Sequence, residues 1–158
     1  MKDVHTEHCC KFHGCKYSNP NCTVETGAKR QSYACETCEF AGITIRPWGH
    51  FQVLSDELTH KVKSITVEAG KRLSLQRHGK RSEYWVCVSG QGKVTLGDTL
   101  HTLKTFGFGL GGYIYIPIHF IHRVEADADR DLTFIEVQQG ISFEESDIER
   151  FADDYGRA

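Results

Sequence analysis

Four side chains in the second half of the chain offer the donor atoms of a metal site: Gln76, His78, Glu83 and His122. Gln76 and His78 are two residues apart, so they share one face of a strand. Glu83 can oppose that pair from the next strand, and Arg81 then projects to the same side as Glu83. An amide oxygen, two imidazoles and a carboxylate suit zinc, iron or manganese with coordination positions left open. The set predicts a metal site in a barrel mouth.

The alternative for each histidine is a hydrogen-bonded surface or core residue near a strand end, which is the commoner role of a single histidine. The spacing of the whole set argues against that alternative, because turn residues separate its members. The turn residues are Gly70, Gly79, Gly90, Gly111 and Pro117. We therefore expect the four side chains to converge on one ion.

A second group of metal-ligand candidates lies near the N-terminus, where six of the seven cysteines fall between Cys9 and Cys38. Cys35 and Cys38 form a C-x2-C pair, the common half-site of structural zinc. The sequence predicts that a structural zinc ion is bound by Cys15, Cys22, Cys35 and Cys38, with Cys10 as the next choice. Disulfides in an oxidising compartment, or an iron–sulfur or redox centre, are the alternatives.

Short alternating runs separated by glycine-containing turns predict that β-strands position the barrel site. No long amphipathic helix interrupts them, which is typical of an antiparallel sandwich or barrel. The acidic tail, residues 144–155, could hold one short helix. The predicted strands cover residues 50–54, 62–67, 73–78, 84–88, 93–96, 113–116 and 132–137.

A change of composition near Phe40 divides the chain into two predicted parts. Residues 1–40 form the cysteine-rich segment, which is too short for its own core and would depend on its metal for stability. Residues 41–158 form the barrel. Trp48, Tyr84 and Trp85 are expected to pack in its core, and Cys87 is expected to be a buried thiol.

The overall composition limits the classes of partner. The formal net charge of -2 argues against a general nucleic-acid binder. The sequence has no stretch of about 18 apolar residues, so no membrane span is predicted. The polar N-terminus lacks the apolar run of a signal peptide, so a cytoplasmic location with reduced cysteines is expected.

The two motifs that carry the metal ligands, residues 70–90 and 111–122, resemble those of the cupin superfamily. This resemblance implies a double-stranded β-helix, or jelly-roll barrel, around one metal. The sequence departs from the superfamily at two positions. Gln76 stands where most cupins have a first histidine, and His119 stands where the second motif usually has glycine.

Phosphomannose isomerases also have glutamine at the ligand position that Gln76 occupies. Residues 46–157 resemble the isomerase half of type II mannose-6-phosphate isomerase/mannose-1-phosphate guanylyltransferases. No glycine-rich nucleotide loop precedes the barrel, so guanylyltransferase activity is not expected. The motifs that carry this resemblance, in order, are Arg46-Pro47-Trp48-Gly49, Leu73-Ser74-Leu75-Gln76-Arg77-His78, Arg81-Ser82-Glu83-Tyr84-Trp85, Ile116-Pro117, His122-Arg123, Ile135-Glu136-Val137-Gln138 and Asp154-Tyr155-Gly156-Arg157.

The resemblance implies interconversion of mannose 6-phosphate and fructose 6-phosphate, with zinc held by the four barrel ligands. Arg81, Glu83 and Arg123 are the catalytic residues it predicts, and Arg81, Lys71 and Arg72 would bind the sugar phosphate. The general base is left open between His119, which could equally be a surface turn residue, and Glu136. A homodimer is expected, as is common among cupins.

Two other functions are compatible with the same cavity. An isolated barrel could bind a sugar or sugar phosphate without converting it, since cupins include plain binders as well as enzymes. An iron-dependent dioxygenase could use the same pocket, but the glutamine ligand and the long stretch of isomerase-like sequence argue against it.

Overall fold

The computed structural model describes residues 42–157, and the predicted cysteine ligands and the segment 1–40 lie outside the described residues. The chain from Ile45 onwards forms one compact unit. A short 3-10 helix covers Glu145–Asp147. The strands are β1 (Ile43–Arg46), β2 (Gly49–Asp56), β3 (His60–Val67), β4 (Leu75–His78), β5 (Arg81–Ser89), β6 (Gln91–Gly97), β7 (Lys104–Gly109), β8 (Tyr113–Ile116), β9 (Ile121–Ala126), β10 (Leu132–Gly140) and β11 (Ile148–Ala152).

The strands form two antiparallel sheets. The larger has the order β1-β2-β3-β10-β5-β8, and the smaller has the order β11-β4-β9-β6-β7. In the larger sheet β10 lies between β3 and β5, with Glu136 opposite both Lys63 and Trp85. In the smaller sheet β9 lies between β4 and β6. The predicted all-β fold is therefore confirmed for the described residues.

Alternation along the strands buries one face of each sheet. In β10 the buried residues alternate with half-buried ones, and in β5 they alternate with exposed ones. The rings of Trp85 and Phe134 pack with their centroids 4.9 Å apart. Each such buried aromatic or aliphatic side chain contributes about 1.5–3 kcal/mol to folding. The most deeply buried apolar residues are Val67, Trp85, Cys87, Val94, Ile116, Val124, Leu132 and Phe134.

Each of the seven predicted strands overlaps an observed one. The prediction missed β1, β7, β9 and β11. The acidic tail contains the short 3-10 helix, but strand β11 follows it, because residues 148–152 pair with β4. Trp48, Trp85 and Cys87 are buried as predicted. The prediction for Tyr84 is wrong, since it projects from the outer face of β5 and is 45% exposed.

Two turn positions adopt left-handed backbone conformations. Gly90 has φ of 79°, and a Cβ atom there would lie 1.9 Å from the carbonyl oxygen of Asp131, so only glycine fits. His119, with φ of 70°, is the one non-glycine residue with positive φ between residues 42 and 157. This is the position at which the resemblance indicated glycine. Among the described residues, none of the helical segments is long and apolar enough to cross a membrane.

Candidate metal centre

Three of the four predicted ligands converge at one end of the barrel. His78 ends β4, Glu83 lies near the start of β5, and His122 lies near the start of β9. One potential ligand atom from each lies within 4.8 Å of the other two. His78 Nε2 is 3.1 Å from Glu83 Oε1, and His122 Nε2 is 3.6 Å from Glu83 Oε2. All three side chains are buried.

Gln76 lies beside this group. It is opposite His122 in the β4–β9 ladder, and its Nε2 is 3.4 Å from His78 Nε2. The Ser74 hydroxyl donates a hydrogen bond of 2.6 Å to Gln76 Oε1. The amide is therefore held next to the histidine, as the spacing predicted, and its role as a ligand stays a prediction.

The His122 ring is oriented for a metal. Its Nδ1–H donates to the carbonyl oxygen of Phe120 at 2.9 Å, which leaves the lone pair on Nε2. That buried Nε2 atom has no hydrogen-bond partner. Burial lowers the pKa of His122 to about 4 against the opposing charge of Glu83, so the ring is neutral near pH 7. A lone pair thus faces a carboxylate oxygen with no proton between them, and a cation would satisfy both.

The Glu83 carboxylate is held by several donors. Burial opposes its ionisation, yet the hydrogen bond with His78 and the favourable electrostatic interactions with His78, His122 and Arg81 hold its pKa well below the usual value. Arg81 Nε donates to Oε1 at 3.1 Å, as the sequence predicted from their spacing. Trp85 Nε1 donates to Oε2 at 3.1 Å. Such neighbours orient a ligating carboxylate and are part of a metal site's affinity.

A second buried carboxyl, Glu136, lies next to Glu83. It accepts hydrogen bonds from Gln138 Nε2 at 2.9 Å and from Trp85 Nε1 at 3.3 Å. Burial and the negative charge of Glu83 raise the pKa of Glu136 to about 8. Of the two general-base candidates, Glu136 lines the cavity at the centre. His119 is exposed and instead borders a surface depression near Asp147.

One cavity opens onto Gln76 and Glu83 between the two sheets. Its lining combines apolar residues with carboxylates and several cations. The residues that line it are Arg46, Trp48, Phe51, Lys63, Ile65, Leu73, Ser74, Gln76, Arg81, Glu83, Glu136, Gln138, Glu145, Ile148, Arg150 and Arg157. Sequence reasoning did not single out Lys63 or Arg150. The alternation of inward residues in β3 could have indicated Lys63, but Arg150 lies on the strand that the prediction missed.

Three of the predicted basic residues do not line this cavity. Lys71 Nζ is 2.8 Å from Glu68 Oε2 and donates to the Pro47 carbonyl. Arg72 forms two hydrogen bonds with Asp154, of 2.7 and 3.0 Å. Arg123 alternates with the inward-facing residues of β9 and donates to the Ala152 carbonyl at 3.0 Å. Their roles toward substrate stay predictions.

Comparison with known proteins agrees with this geometry. The family profile described as mannose-6-phosphate isomerase C-terminal matches residues 36–153. Alginate biosynthesis protein AlgA of Pseudomonas aeruginosa is 44% identical over 112 residues, which are 71% of this chain and 22% of that protein. Mannose-1-phosphate guanylyltransferase of Escherichia coli is 41% identical over 112 residues, which are again 71% of this chain and 22% of that protein. The chain therefore spans about a fifth of these relatives.

Solved structures show the same fold at low sequence identity. Oxalate decarboxylase from Lactobacillus farciminis superposes with a TM-score of 0.60 at 21% identity, covering 69% of this chain and 33% of that one. The capsular polysaccharide assembling protein CapF from Staphylococcus aureus gives a TM-score of 0.58 at 17% identity, covering 68% and 33%. These likenesses confirm the predicted all-β, cupin-like fold of two antiparallel sheets.

Proposed function

Because the chain belongs to the family of mannose-6-phosphate isomerase C-terminal domains, we propose that it interconverts mannose 6-phosphate and fructose 6-phosphate at the barrel metal centre. The observation that carries the proposal is the buried cluster of His78, Glu83 and His122, in which His122 Nε2 has no hydrogen-bond partner and lies 3.6 Å from the Glu83 carboxylate. Two buried acceptors at that separation repel each other unless a cation lies near both. Few groups other than a metal ion meet that requirement.

His78, Glu83 and His122 would hold the ion, with Gln76 as the fourth ligand, and zinc is the proposed metal. When bound, such an ion polarises a carbonyl and stabilises negative charge developing on its oxygen. The aldose–ketose interconversion also moves a proton between adjacent carbons. Glu136 is the better placed of the two base candidates, because it lines the cavity beside Glu83. Since its pKa is raised to about 8, it accepts a proton only in its deprotonated form, whose fraction grows as the pH rises. The Trp85 and Gln138 donors fix the position of its carboxyl group.

Arg81 is proposed to act at the same centre. Its guanidinium contacts Glu83 and lies 3.3 Å from His78 Nε2 through Nη2, so it adds positive charge next to the ligands. A fixed cation there would stabilise an enediolate. The proposed catalytic role of Arg123 has no comparable contact, since its side chain reaches the Ala152 carbonyl outside the cavity.

A coupled assay for fructose 6-phosphate made from mannose 6-phosphate tests the proposal. We expect turnover that a chelator removes and added zinc restores. His78→Ala should lack turnover with an unchanged circular dichroism spectrum, while the matched variant His60→Ala on β3, outside the cavity lining, should keep it. Full turnover by His78→Ala would contradict the proposed site.

The second candidate is a sugar-phosphate binding module without turnover. It is favoured by the fact that the chain matches only 22% of the length of the mannose-1-phosphate guanylyltransferase of E. coli. The activity of such a relative could depend on parts that this chain does not match. Binding of mannose 6-phosphate measured by calorimetry, with no fructose 6-phosphate formed after zinc loading, would establish this module instead.

The expected homodimer is a further proposal. The outer face of the larger sheet carries exposed apolar side chains on adjacent strands, where Tyr84 is opposite Tyr115 and Val86 is opposite Tyr113. Such an exposed apolar patch suits a self-complementary contact. Tyr84→Lys should shift the sedimentation coefficient to that of a monomer.

The cytoplasmic location and the zinc ion at Cys15, Cys22, Cys35 and Cys38 stay predictions.

A further inference from the structure

The smaller sheet places a cation in the same row as the proposed metal ligands. Arg150 in β11 is opposite Gln76 in β4, and Gln76 is opposite His122 in β9. Directly opposed residues of antiparallel strands project from the same face. Arg150 therefore extends the row of inward-facing side chains toward the open edge of the sheet, and it lines the cavity together with Gln76.

Arg150 is incompletely paired in this position. Its side chain is 18% exposed, and its buried Nε atom has no hydrogen-bond partner. Its ion pair with Glu145 is 3.5 Å long, and Glu145 is 58% exposed, so water screens that attraction. A buried N–H without an acceptor is unfavourable. An anion that enters the cavity could supply the missing acceptor and replace Glu145.

The larger sheet contributes a second cation from the opposite side. Lys63 in β3 is opposite Glu136 in β10, and it lines the same cavity as Arg150. Its ammonium is 3.8 Å from Glu136 Oε1, which is too far for a hydrogen bond, and that oxygen accepts from Gln138 instead. The Lys63 side chain is only 13% exposed. Its ammonium lies 4.9 Å from the centroid of the Phe51 ring.

We propose that Lys63 and Arg150 together bind the phosphate group of the substrate, a step that rests on the proposed function. A phosphate dianion is bound best by several charge-assisted hydrogen bonds, and these two side chains offer donors from facing sheets. The remainder of the sugar then extends along the cavity toward Gln76 and Glu83. Lys71 and Arg72 already have carboxylate partners of their own, at 2.8 and 2.7 Å.

The test compares Lys63→Gln and Arg150→Gln with wild-type protein in the coupled assay. We expect KM for mannose 6-phosphate to rise about 10- to 100-fold in each variant, as the loss of one hydrogen bond to a charged group implies. The value of kcat should change much less, because the phosphate does not react. Inorganic phosphate should inhibit the wild type competitively and lose a similar factor in affinity. Arg150→Lys should recover part of the lost affinity, since it keeps the charge.

Matched controls remove cations that do not line the cavity. Lys61 lies two residues from Lys63 on the same strand and is paired with Asp56, and Lys61→Gln is the first control. Arg77 lies beside Gln76 and is paired with Glu149, and Arg77→Gln is the second. Both should keep KM, and zinc content and thermal unfolding should show that all variants are folded. If Lys63→Gln or Arg150→Gln does not fold, Lys63→Arg and Arg150→Lys replace it, and KM should rise in these as well.

The possible outcomes separate this inference from the proposed function. If Lys63→Gln and Arg150→Gln are both active and have the KM of the wild type, the Lys63–Arg150 subsite is overturned and the isomerase stays intact. A raised KM in Arg72→Gln would then place the phosphate near Arg72 instead. A wild-type protein that never forms fructose 6-phosphate would overturn the isomerase. The subsite would then stand only if calorimetry shows mannose 6-phosphate binding that both variants weaken.

Discussion

The two ends of the barrel interior share strands β9 and β10 but differ in chemistry. At one end five polar side chains point inward and are buried, from strands β4, β5, β9 and β10. They are His78, Glu83, His122, Glu136 and Gln138. The cost of burying polar groups is met here by mutual hydrogen bonds, but not completely. His122 Nε2, His78 Nδ1 and Gln138 Oε1 are left without partners.

At the other end, β3, β6, β9 and β10 place buried apolar side chains inside. Val67, Val94, Val124, Leu132 and Phe134 are each at most 1% exposed. Trp85 lies at the boundary between the two ends. Its ring packs against Phe134 at a centroid distance of 4.9 Å, while its Nε1 donates to both buried carboxyl groups.

The difference indicates which end stabilises the fold and which end binds. An apolar interior needs no partner beyond its own side chains, whereas buried polar groups with unmet hydrogen bonds are unfavourable unless a ligand completes them. Buried ionisable groups with shifted pKa values also concentrate at functional sites. Substitutions at the two ends should therefore separate loss of stability from loss of metal.

The largest effect on stability is expected at the apolar end. Phe134→Ala removes a fully buried ring and should lower the free energy of unfolding by about 3–5 kcal/mol. Leu58→Ala, at a 93% exposed position between β2 and β3, is the control and should change it by less than about 0.5 kcal/mol. Urea unfolding followed by tryptophan fluorescence measures both. Equal losses in the two variants would contradict this assignment of the core.

At the polar end the expected loss is of metal affinity. His122→Leu removes the orphaned Nε2 atom, so zinc affinity should fall at least about 100-fold, which corresponds to roughly 2.7 kcal/mol. The metal-free variant should stay within about 1.5 kcal/mol of the metal-free wild type, because the replacement is apolar and similar in size. Calorimetric zinc titration and urea unfolding provide the two numbers. Unchanged zinc affinity would remove His122 from the site.

Much of the site could be predicted from local sequence. The two-residue spacing of Gln76 and His78, the position of Glu83 after a turn, and the position of His122 after Pro117 together indicated one cluster. The same pattern placed Arg81 beside Glu83, and their contact of 3.1 Å confirms it. Period-two alternation does not depend on distant contacts, which is why these predictions hold.

Two other cations of the cavity, Lys63 and Arg150, were not identified in this way. Arg150 faces the site only because β11 pairs with β4, across more than 70 residues of chain. Nothing near residues 148–152 signals that pairing, since the segment follows an acidic stretch typical of a tail. Alternation along β3 could have indicated that Lys63 faces inward, but only the long-range pairing of β3 with β10 brings Glu136 opposite it. Arg72 and Lys71 were favoured because they stand next to the motif in sequence, although they do not line the cavity.

A smaller effect on both properties is expected at the boundary. Trp85→Phe keeps a large ring in the core but removes the donor to Glu83 and Glu136. Unfolding free energy should fall by about 1–2 kcal/mol and zinc affinity by about 10-fold. Leu96→Met, at a partly buried position that contacts the core, is the control for repacking alone and should retain its zinc affinity. A zinc affinity equal to the wild type in Trp85→Phe would separate the indole from the metal centre.

The smallest effect concerns the turn that precedes β9. His119 adopts φ of 70°, a conformation that β-branched residues adopt at greater cost. His119→Val should therefore lower the free energy of unfolding by about 1 kcal/mol, whereas His119→Gly should leave it unchanged or slightly higher. Thermal unfolding of the three proteins gives the order. The reverse order would show that the imidazole itself stabilises the turn.

The central claim is that the polar end of the barrel binds a divalent metal, and calorimetric titration of the metal-free full chain with zinc tests it most directly. The wild type should bind one more equivalent than the double variant His78→Ala/His122→Ala, whose circular dichroism spectrum should match the wild type. A variant with serine in place of Cys15, Cys22, Cys35 and Cys38 should retain the barrel equivalent. Equal zinc uptake by the wild type and the double histidine variant would contradict the claim.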